Sequence, residues 1–312
     1  MRATGIGSMP GDDLAGWARF VLGEMDLAFV PELPARGAHA GMIGRSLAVL
    51  DGMDADLQPA GWRVGVGSGV DHRRARSLLA QDLDAVEEIG HDYDGVLKQQ
   101  VAGPWTLAAT VETPRGEKVL ADHGARRDLA ACLAAGLAEQ IADLRRRFGR
   151  AAEFIVQIDE PALSAVLAAA IPTSSGFGRY RTIDVPEADA HLRLVAETAR
   201  EAGATPVVHC CAPDVPVALL RGAGFAAVAF DLSLVGPGDA WAEAVEQGLG
   251  LWPGSTDARR IEEFLGRLGF DIGSVGNRLV VTPPCGLAGR TPAEARRDLE
   301  AARSAARSLR KG

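Results

Sequence analysis

Short strand-like segments alternate with helical segments along the chain, and this alternation restricts the fold more than any other feature of the sequence. A strict alternation of strand and helix predicts parallel strands joined by helical crossovers. Eight such units match the number of strands that closes a (β/α)8 barrel, so we predict an α/β TIM barrel, with a doubly wound open sheet as the alternative. The eight apolar or β-branched runs are Leu27 to Pro31, Trp62 to Gly67, Gly95 to Gln100, Phe154 to Asp159, Thr205 to Cys211, Ala226 to Leu232, Leu249 to Gly254 and Arg278 to Pro284.

The segments between these runs have apolar residues three and four positions apart, which is typical of helices. Gly203 and Gly269 stand where a helix C-cap glycine belongs, and Thr291 precedes a proline at a first helical position. Nothing in the composition marks a domain boundary, so we expect one TIM-barrel domain over residues 1–312. The helical segments are Asp71 to Gly90, Lys118 to Phe148 (long enough for two helices), Glu187 to Gly203, Asp257 to Gly269 and Thr291 to Leu309.

Composition and charge exclude several classes of protein. The chain is 47% hydrophobic and 24% charged, which is ordinary for a globular protein and unlike a disordered one. Its net charge of -8 has the wrong sign for binding nucleic acid or an anionic membrane. We find no apolar run near the roughly 18 residues of a membrane span and no signal peptide, so we expect a cytoplasmic protein.

Polar side chains end seven of the eight predicted strands. In a TIM barrel the functional groups gather at the carboxyl ends of the strands and in the loops that follow. The barrel therefore predicts a common mouth lined by Glu32, Lys98 with Gln100, Asp159 with Glu160, His209 with Cys211, Asp231, Ser255 with Asp257, and Cys285.

Three of these positions suggest a metal site. His209 and Cys211 lie two residues apart on a strand, so their side chains point to one face while Cys210 points to the other. With Cys285 they form a Cys2His set, which leaves a fourth position open as in catalytic zinc sites. On spacing alone, a buried core histidine with buried cysteines is an equal alternative. Cys132, in an Ala-rich helical segment, is interpreted as core packing.

The chain resembles the C-terminal catalytic barrel of cobalamin-independent methionine synthase over nearly its whole length. The Gln-Ile-Asp-Glu-Pro-Ala segment and the final Cys-Gly-Leu are specific to that group, whereas His-x-Cys also occurs in corrinoid-dependent methyltransferases and uroporphyrinogen decarboxylase. The motifs, in the family's order, are Gly5-Ile6-Gly7-Ser8-Met9-Pro10, Val30-Pro31-Glu32, Lys98 followed by Gly103-Pro104-Trp105-Thr106, Gln157-Ile158-Asp159-Glu160-Pro161-Ala162-Leu163, His209-Cys210-Cys211 and Pro284-Cys285-Gly286-Leu287.

The resemblance implies a Zn²⁺ ion held by His209, Cys211 and Cys285. The family's fourth ligand is a glutamate at the end of the sixth strand, and Asp231 takes that position here. Its side chain is one methylene shorter, so it is expected either to ligate after a backbone shift or to act beside the ligands.

The resemblance also implies the substrate. Ser8, Glu32 and Asp159 match the positions that hold the amino acid portion of homocysteine, and Lys98 and Trp105 are expected to bind substrate as well. The implied activity is a zinc-dependent S-methyltransferase that activates homocysteine as a zinc thiolate and produces methionine.

The implied methyl donor is either methyltetrahydrofolate or a methylated corrinoid protein. The family's second, N-terminal barrel does not fit in 312 residues, and its pterin-stacking aromatic falls at Thr110. We therefore expect the corrinoid to be the better donor.

Two other functions stay open. A uroporphyrinogen decarboxylase-like lyase needs no metal, and Cys285 together with Asp159-Glu160-Pro161 argues against it. A barrel that binds zinc or a thiol without catalysis is the second. The glycine-rich stretch from Gly65 to Gly69 lacks the lysine and the spacing of a P-loop, so a loop is the expected structure there.

Overall fold

A computed structural model describes residues 1–65 and 69–310 of the chain. Within these ranges the strands are β1 Arg2–Ala3, β2 Ala28–Phe29, β3 Ala55–Gln58, β4 Gly61–Val64, β5 Val96–Ala102, β6 Glu153–Asp159, β7 Thr205–Cys210, β8 Ala227–Asp231, β9 Gly250–Gly254 and β10 Val280–Val281.

Eight of these strands form a closed parallel barrel. β2 and β5 to β9 pair side by side in chain order, and β1 pairs in parallel with β10. The two groups are joined on both sides, because the amide of Leu27 donates to the carbonyl of Ala3 at 3.2 Å and Gly254 bridges in parallel to Thr282. The α/β barrel predicted from the sequence is confirmed.

One of the eight predicted barrel strands is wrong. The run from Trp62 to Gly67 contains β4, which pairs antiparallel with β3 in a hairpin outside the barrel. The remaining barrel position belongs to β1 (Arg2–Ala3), which is too short to produce a periodic pattern. Residues 66–68, and with them most of the predicted glycine-rich loop, lie outside the described residues.

The helices follow the predicted segments closely. Gly203 and Gly269 have φ of 89° and 87°, as C-cap glycines require, and Thr291 forms a capping box with Glu294. The longest segment is one helix preceded by a 3-10 turn, Val119–Ala121. The helices are α1 Leu14–Glu24, α2 Met42–Val49, α3 Val70–Ile89, α4 Pro104–Thr110, α5 His123–Arg147, α6 Leu163–Leu167, α7 Val185–Glu201, α8 Val217–Gly222, α9 Asp239–Glu246, α10 Ala258–Arg267, α11 Ile272–Val275 and α12 Pro292–Leu309. Among the helices of the described residues, none has the length and apolar character needed to cross a membrane.

Strand alternation divides the buried residues into two layers. Side chains that point outward, such as Val156, Ile158 and Val208, pack with the helices in one large cluster. Side chains that point inward form a smaller apolar cluster in the barrel, which includes Ile155 and Val207. The next inward positions toward the carboxyl ends are polar, so the apolar filling stops below the mouth.

A glycine in α5 is required by close helix packing. A Cβ atom on Gly136 would lie 1.6 Å from the carbonyl oxygen of Val49, at the end of α2. We expect Gly136→Ala to lower the free energy of unfolding by about 1–3 kcal/mol, as overpacking typically does. Gly266→Ala is the control, because nothing lies within 4 Å of its Cβ position in α10 and the helix should gain about 0.5–1 kcal/mol. Urea denaturation checks both, and equal stability of the two variants would contradict the packing argument.

Candidate functional site

The predicted cysteine and histidine cluster is present at the barrel mouth. The candidate ligand atoms of His209, Cys211 and Cys285 all lie within 4.8 Å of one another, and the two sulfur atoms are 3.3 Å apart. Cys210 points the other way and packs in the outer cluster, as the strand alternation predicted. This donor set could hold a metal ion.

His209 is oriented for metal binding by its neighbour in the sheet. Its Nδ1 lies 3.0 Å from Oδ1 of Asp159, which pairs with it in register between β6 and β7. Its Nε2 is buried and has no hydrogen-bond partner among the described residues. A buried imidazole with one nitrogen fixed by a carboxylate and the other free beside two thiols matches the usual surroundings of a histidine that ligates zinc.

The three residues also fit zinc in their chemistry and spacing. Thiolate and imidazole are the ligands that zinc prefers, and bonds of about 2.3 Å to sulfur place tetrahedral sulfurs roughly 3.8 Å apart. The observed separation of 3.3 Å therefore requires only a small outward movement of Cys211 or Cys285.

The electrostatics of the cluster favour an ionised thiol. The hydrogen bond between Cys211 and Cys285, together with the adjacent His209, lowers the pKa of Cys285 to about 4. The same hydrogen bond raises the pKa of Cys211. Burial would lower the pKa of His209, but the interactions with Asp159 and Cys285 together outweigh burial and raise the pKa to about 9.

Two carboxylates lie close to this cluster. Asp159 and Glu32 are each only 6% exposed, at the carboxyl ends of their strands. Glu32 accepts a hydrogen bond from Nε2 of Gln100 at 3.3 Å and has Nε of Arg45 at 3.7 Å. Burial raises the pKa of Glu32 to about 7, so a cation that arrives beside it would stabilise its ionised form.

Ser8 connects the acidic part of the mouth to the cysteine part. It forms a parallel bridge with Glu32, and its carbonyl oxygen accepts from the amide of Leu287 at 2.8 Å. Gly286 follows Cys285 at this contact, and a Cβ there would lie 2.0 Å from the Ser8 hydroxyl. Ser8 is therefore adjacent to both predicted parts of the site.

Two other predicted site residues are not brought to the mouth surface. Lys98 is fully buried inside the barrel. Trp105 is also fully buried, where it donates to the carbonyl of Ala188 at 3.2 Å and stacks on His191 at 5.0 Å, so it offers no surface to a ligand.

Asp231 lies at the mouth but is hydrogen-bonded within its own turn. It ends β8 on the inward side, but its carboxylate accepts from the amide and hydroxyl of Ser233 at 2.8 and 2.6 Å. Its carboxylate does not belong to the group formed by His209, Cys211 and Cys285. Among the described residues, no carboxylate therefore takes the predicted fourth ligand position. The shorter side chain completes its own turn instead.

Sequence reasoning placed one supporting group at the mouth wrongly and missed another. Glu160 is fully buried and accepts from the amides of Trp105 and Thr106 at 2.9 and 2.7 Å, so it anchors the start of α4. Its position next to Asp159 on the strand places it on the opposite face, which the alternation could have shown. Arg45 is the second group: it binds Asp82 at 2.7 Å behind Glu32, and no local pattern predicts so distant a contact.

Comparisons with known proteins agree with the fold. Residues 93–308 match the family described as "Cobalamin-independent synthase, Catalytic domain". A solved structure of a B12-independent methionine synthase from Shewanella sp., in complex with selenomethionine, shares 14% identity and a TM-score of 0.62 over 99% of this chain and 98% of that chain. This likeness shows a common fold.

Other comparisons carry less weight. A morphinone reductase variant matches at 12% identity and TM-score 0.47 over 90% of this chain and 81% of that chain. A 2,3-dimethylmalate lyase matches at 14% identity and TM-score 0.38 over 98% and 83%. Neither is close enough in structure to support an argument, and a search of curated proteins gives no match.

We expect about one zinc ion per chain when the protein is loaded with zinc. Cys285→Ser should lose zinc to a mild chelator at least tenfold more readily, because a thiolate ligand is replaced by a hydroxyl. Cys132→Ser is the control, since Cys132 is half-buried on α5 away from the cluster. Metal analysis after dialysis checks the prediction, and equal zinc retention in both variants would remove Cys285 from the site.

Proposed function

Because the chain belongs to the family of cobalamin-independent synthase catalytic domains, we propose that it is a zinc-dependent methyltransferase that methylates a small thiol, with homocysteine as the substrate and methionine as the product. The cluster of His209, Cys211 and Cys285 carries this proposal. A lyase of the uroporphyrinogen decarboxylase kind would have no use for two cysteines and a histidine within 4.8 Å of one another.

The proposed roles of the ligands follow from their surroundings. A bound zinc ion would lower the pKa of a substrate thiol, so that the thiol is ionised at neutral pH. Asp159 holds His209 so that Nε2 faces the cysteines. With zinc bound, the thiolates of Cys211 and Cys285 would keep a coordinated substrate sulfur rich in electrons and therefore nucleophilic. Asp231 would take part only if its carboxylate left Ser233.

The acids beside the cluster support an amino acid thiol as the substrate. Glu32 and Asp159 are poorly hydrated, so an ammonium group between them would form strong charge-assisted hydrogen bonds. Ser8 lies between Glu32 and the Cys285 loop, where its hydroxyl can orient the same amino acid. A thiol that also carries an ammonium group suits both halves of the mouth.

The proposal leaves two donors to be distinguished. The hydroxyl of Thr110 binds the carbonyl of Thr106 at 2.7 Å, and buried Trp105 does not replace the missing aromatic at that position. This favours a methylated corrinoid over a pterin. The Shewanella protein supports the opposite choice, because it is described as a B12-independent methionine synthase and aligns with this chain over nearly its whole length.

Glu32 and Asp159 should bind the ammonium group of the substrate. We expect Glu32→Gln and Asp159→Asn to weaken homocysteine binding to zinc-loaded protein by about tenfold or more, because each removes a charge-assisted hydrogen bond worth about 1.5–3 kcal/mol. Binding of 4-mercaptobutanoate, which lacks the amine, should change by less than about twofold in Glu32→Gln, whose carboxylate is not in contact with a ligand residue.

Calorimetry with both thiols measures these affinities. Glu153→Gln is the matched control, since Glu153 begins β6 at the end opposite Asp159 and binds Thr205 at 2.9 Å. If Glu32→Gln weakened the binding of both thiols equally, Glu32 would support the fold and would not bind the ammonium group of the substrate.

The donor should be a methylcorrinoid. We expect zinc-loaded protein to form methionine from homocysteine faster with methylcobalamin than with methyltetrahydrofolate, because a pterin lacks its aromatic platform at Thr110. Cys285→Ser serves as the control for uncatalysed methyl transfer. Rapid methionine formation from methyltetrahydrofolate with no corrinoid present would contradict the donor assignment and keep the methyltransferase proposal.

A further inference from the structure

Lys98 is fully buried, and its hydrogen-bond partners among the described residues are all neutral. Burial lowers the pKa of Lys98 to about 7, although the charges of Asp159 and Glu32 oppose this shift. Its ammonium group donates to the carbonyl of Ile6 at 2.8 Å, to Oε1 of Gln157 at 2.7 Å and to Oε1 of Gln100 at 3.2 Å. The ring of Phe29 lies 5.5 Å away. All three ammonium protons are therefore used, and none of them reaches a carboxylate.

The cation determines which way the two glutamines face. An ammonium group only donates hydrogen bonds, so each glutamine must turn its oxygen toward Lys98 and its NH2 group away. The NH2 group of Gln157 then donates to Oδ1 of Asp159 at 2.7 Å. That of Gln100 donates to Oε1 of Glu32 at 3.3 Å. One lysine thus controls a donor to each of the two acids at the mouth.

The glutamines are also held from the other side. Nε2 of Gln157 donates to the carbonyl of Ile6 at 2.9 Å, and Nε2 of Gln100 donates to that of Val30 at 2.9 Å. Both glutamines are buried and are neighbours in register between β5 and β6. Neither amide can rotate without breaking bonds at both of its ends.

We propose that Lys98 is a positioning residue that acts through Gln100 and Gln157 to hold Glu32 and Asp159 in place for the ammonium group of the substrate. This inference rests on the proposed function, because it takes the substrate to be an amino acid thiol. It assigns Lys98 a role beneath the site, without contact with the substrate.

The burial of this charge argues for a role in the site over one in stability. A buried charge has a large desolvation cost, and hydrogen bonds to neutral groups offset less of that cost than an ion pair would. Methionine has nearly the length of lysine and no donor. Lys98→Met therefore removes the orienting cation and leaves the barrel packed.

The first test is the binding of two thiols to zinc-loaded protein. We expect Lys98→Met to weaken homocysteine binding by about tenfold or more and 4-mercaptobutanoate binding by less than about twofold. Both are measured well below the unfolding midpoint of the variant, which should fall because three buried acceptors lose their donor. Tyr93→Phe is the control, because it removes one hydrogen bond of 2.9 Å to the carbonyl of Val96, which lies on the same strand as Lys98. Equal losses for both thiols, or no loss for homocysteine, would overturn the proposal.

The second test separates the two hydrogen-bonded paths from Lys98, one through Gln100 to Glu32 and the other through Gln157 to Asp159. Gln100→Met should weaken homocysteine binding through Glu32 alone, and Gln157→Met through Asp159 alone, each by less than Lys98→Met. In the protein that carries both glutamine changes, adding Lys98→Met should weaken binding no further, because nothing is left for the lysine to orient. A full additional loss in that background would show that Lys98 acts by another route.

The third test needs neither metal nor thiol. In protein labelled with 15N on the glutamine side chains, we expect the NH2 protons of Gln100 and Gln157 to exchange slowly with solvent, and to exchange much faster in Lys98→Met but not in Tyr93→Phe. Unchanged exchange in Lys98→Met would refute the orienting role. If wild-type protein fails to bind homocysteine, the proposed function fails, and this exchange still decides whether Lys98 orients the glutamines.

Discussion

Closure of the barrel by its first and last strands is the interaction on which the site depends. The pairing of Arg2–Ala3 with Val280–Val281 covers only two residues on each strand. It places the segment after β1 against the segment after β10, so that Ser8 meets Gly286 and the Cys285 loop. Without this contact, the acids of the early strands and the cysteines of the late strands would not share one mouth.

Within the barrel, the alternation of side chains concentrates polar groups at one end. The lower interior is apolar, whereas Lys98, Gln157 and Asp159 occupy the inward positions above it. Buried polar groups of this kind are tolerated only when their hydrogen bonds are satisfied. Here each one is bonded to the next, which also fixes their orientations. The same hydrogen bonds therefore satisfy the buried polar groups and hold their side chains in place.

The sequence predicts those parts of this structure that follow from local periodicity. The alternation of side chains along β7 predicts that His209 points inward and Cys210 outward, and the structure agrees. The alternation of side chains also distinguishes the one wrong strand. In β4, buried Trp62 and Val64 alternate with half-buried residues, whereas the strands of a parallel barrel are covered on both faces. The barrel strand that was missed, Arg2–Ala3, is too short to carry any period.

Contacts between distant segments could not be predicted in this way. The family's motif order marked Trp105 as a site residue, but the order of residues does not reveal that α4 turns the indole toward Ala188. The same limit applies to Asp231, whose carboxylate is held by its own turn. In both cases a hydrogen bond that the motif does not reveal holds the side chain, with the distant Ala188 for Trp105 and with the neighbouring Ser233 for Asp231.

The separation of Lys98 from the acids has a chemical consequence for cation binding. A lysine in direct contact with Glu32 or Asp159 would occupy the oxygen atoms that a substrate ammonium group needs, and the substrate would have to break an ion pair to enter. The glutamines place a neutral NH2 group against each carboxylate in that position. The positive charge of Lys98 still offsets the two negative charges at longer range, which reduces the cost of burying them. The lysine therefore acts on both acids through the glutamines and through its charge at longer range, and it does not itself occupy the carboxylate oxygens that a substrate ammonium group needs.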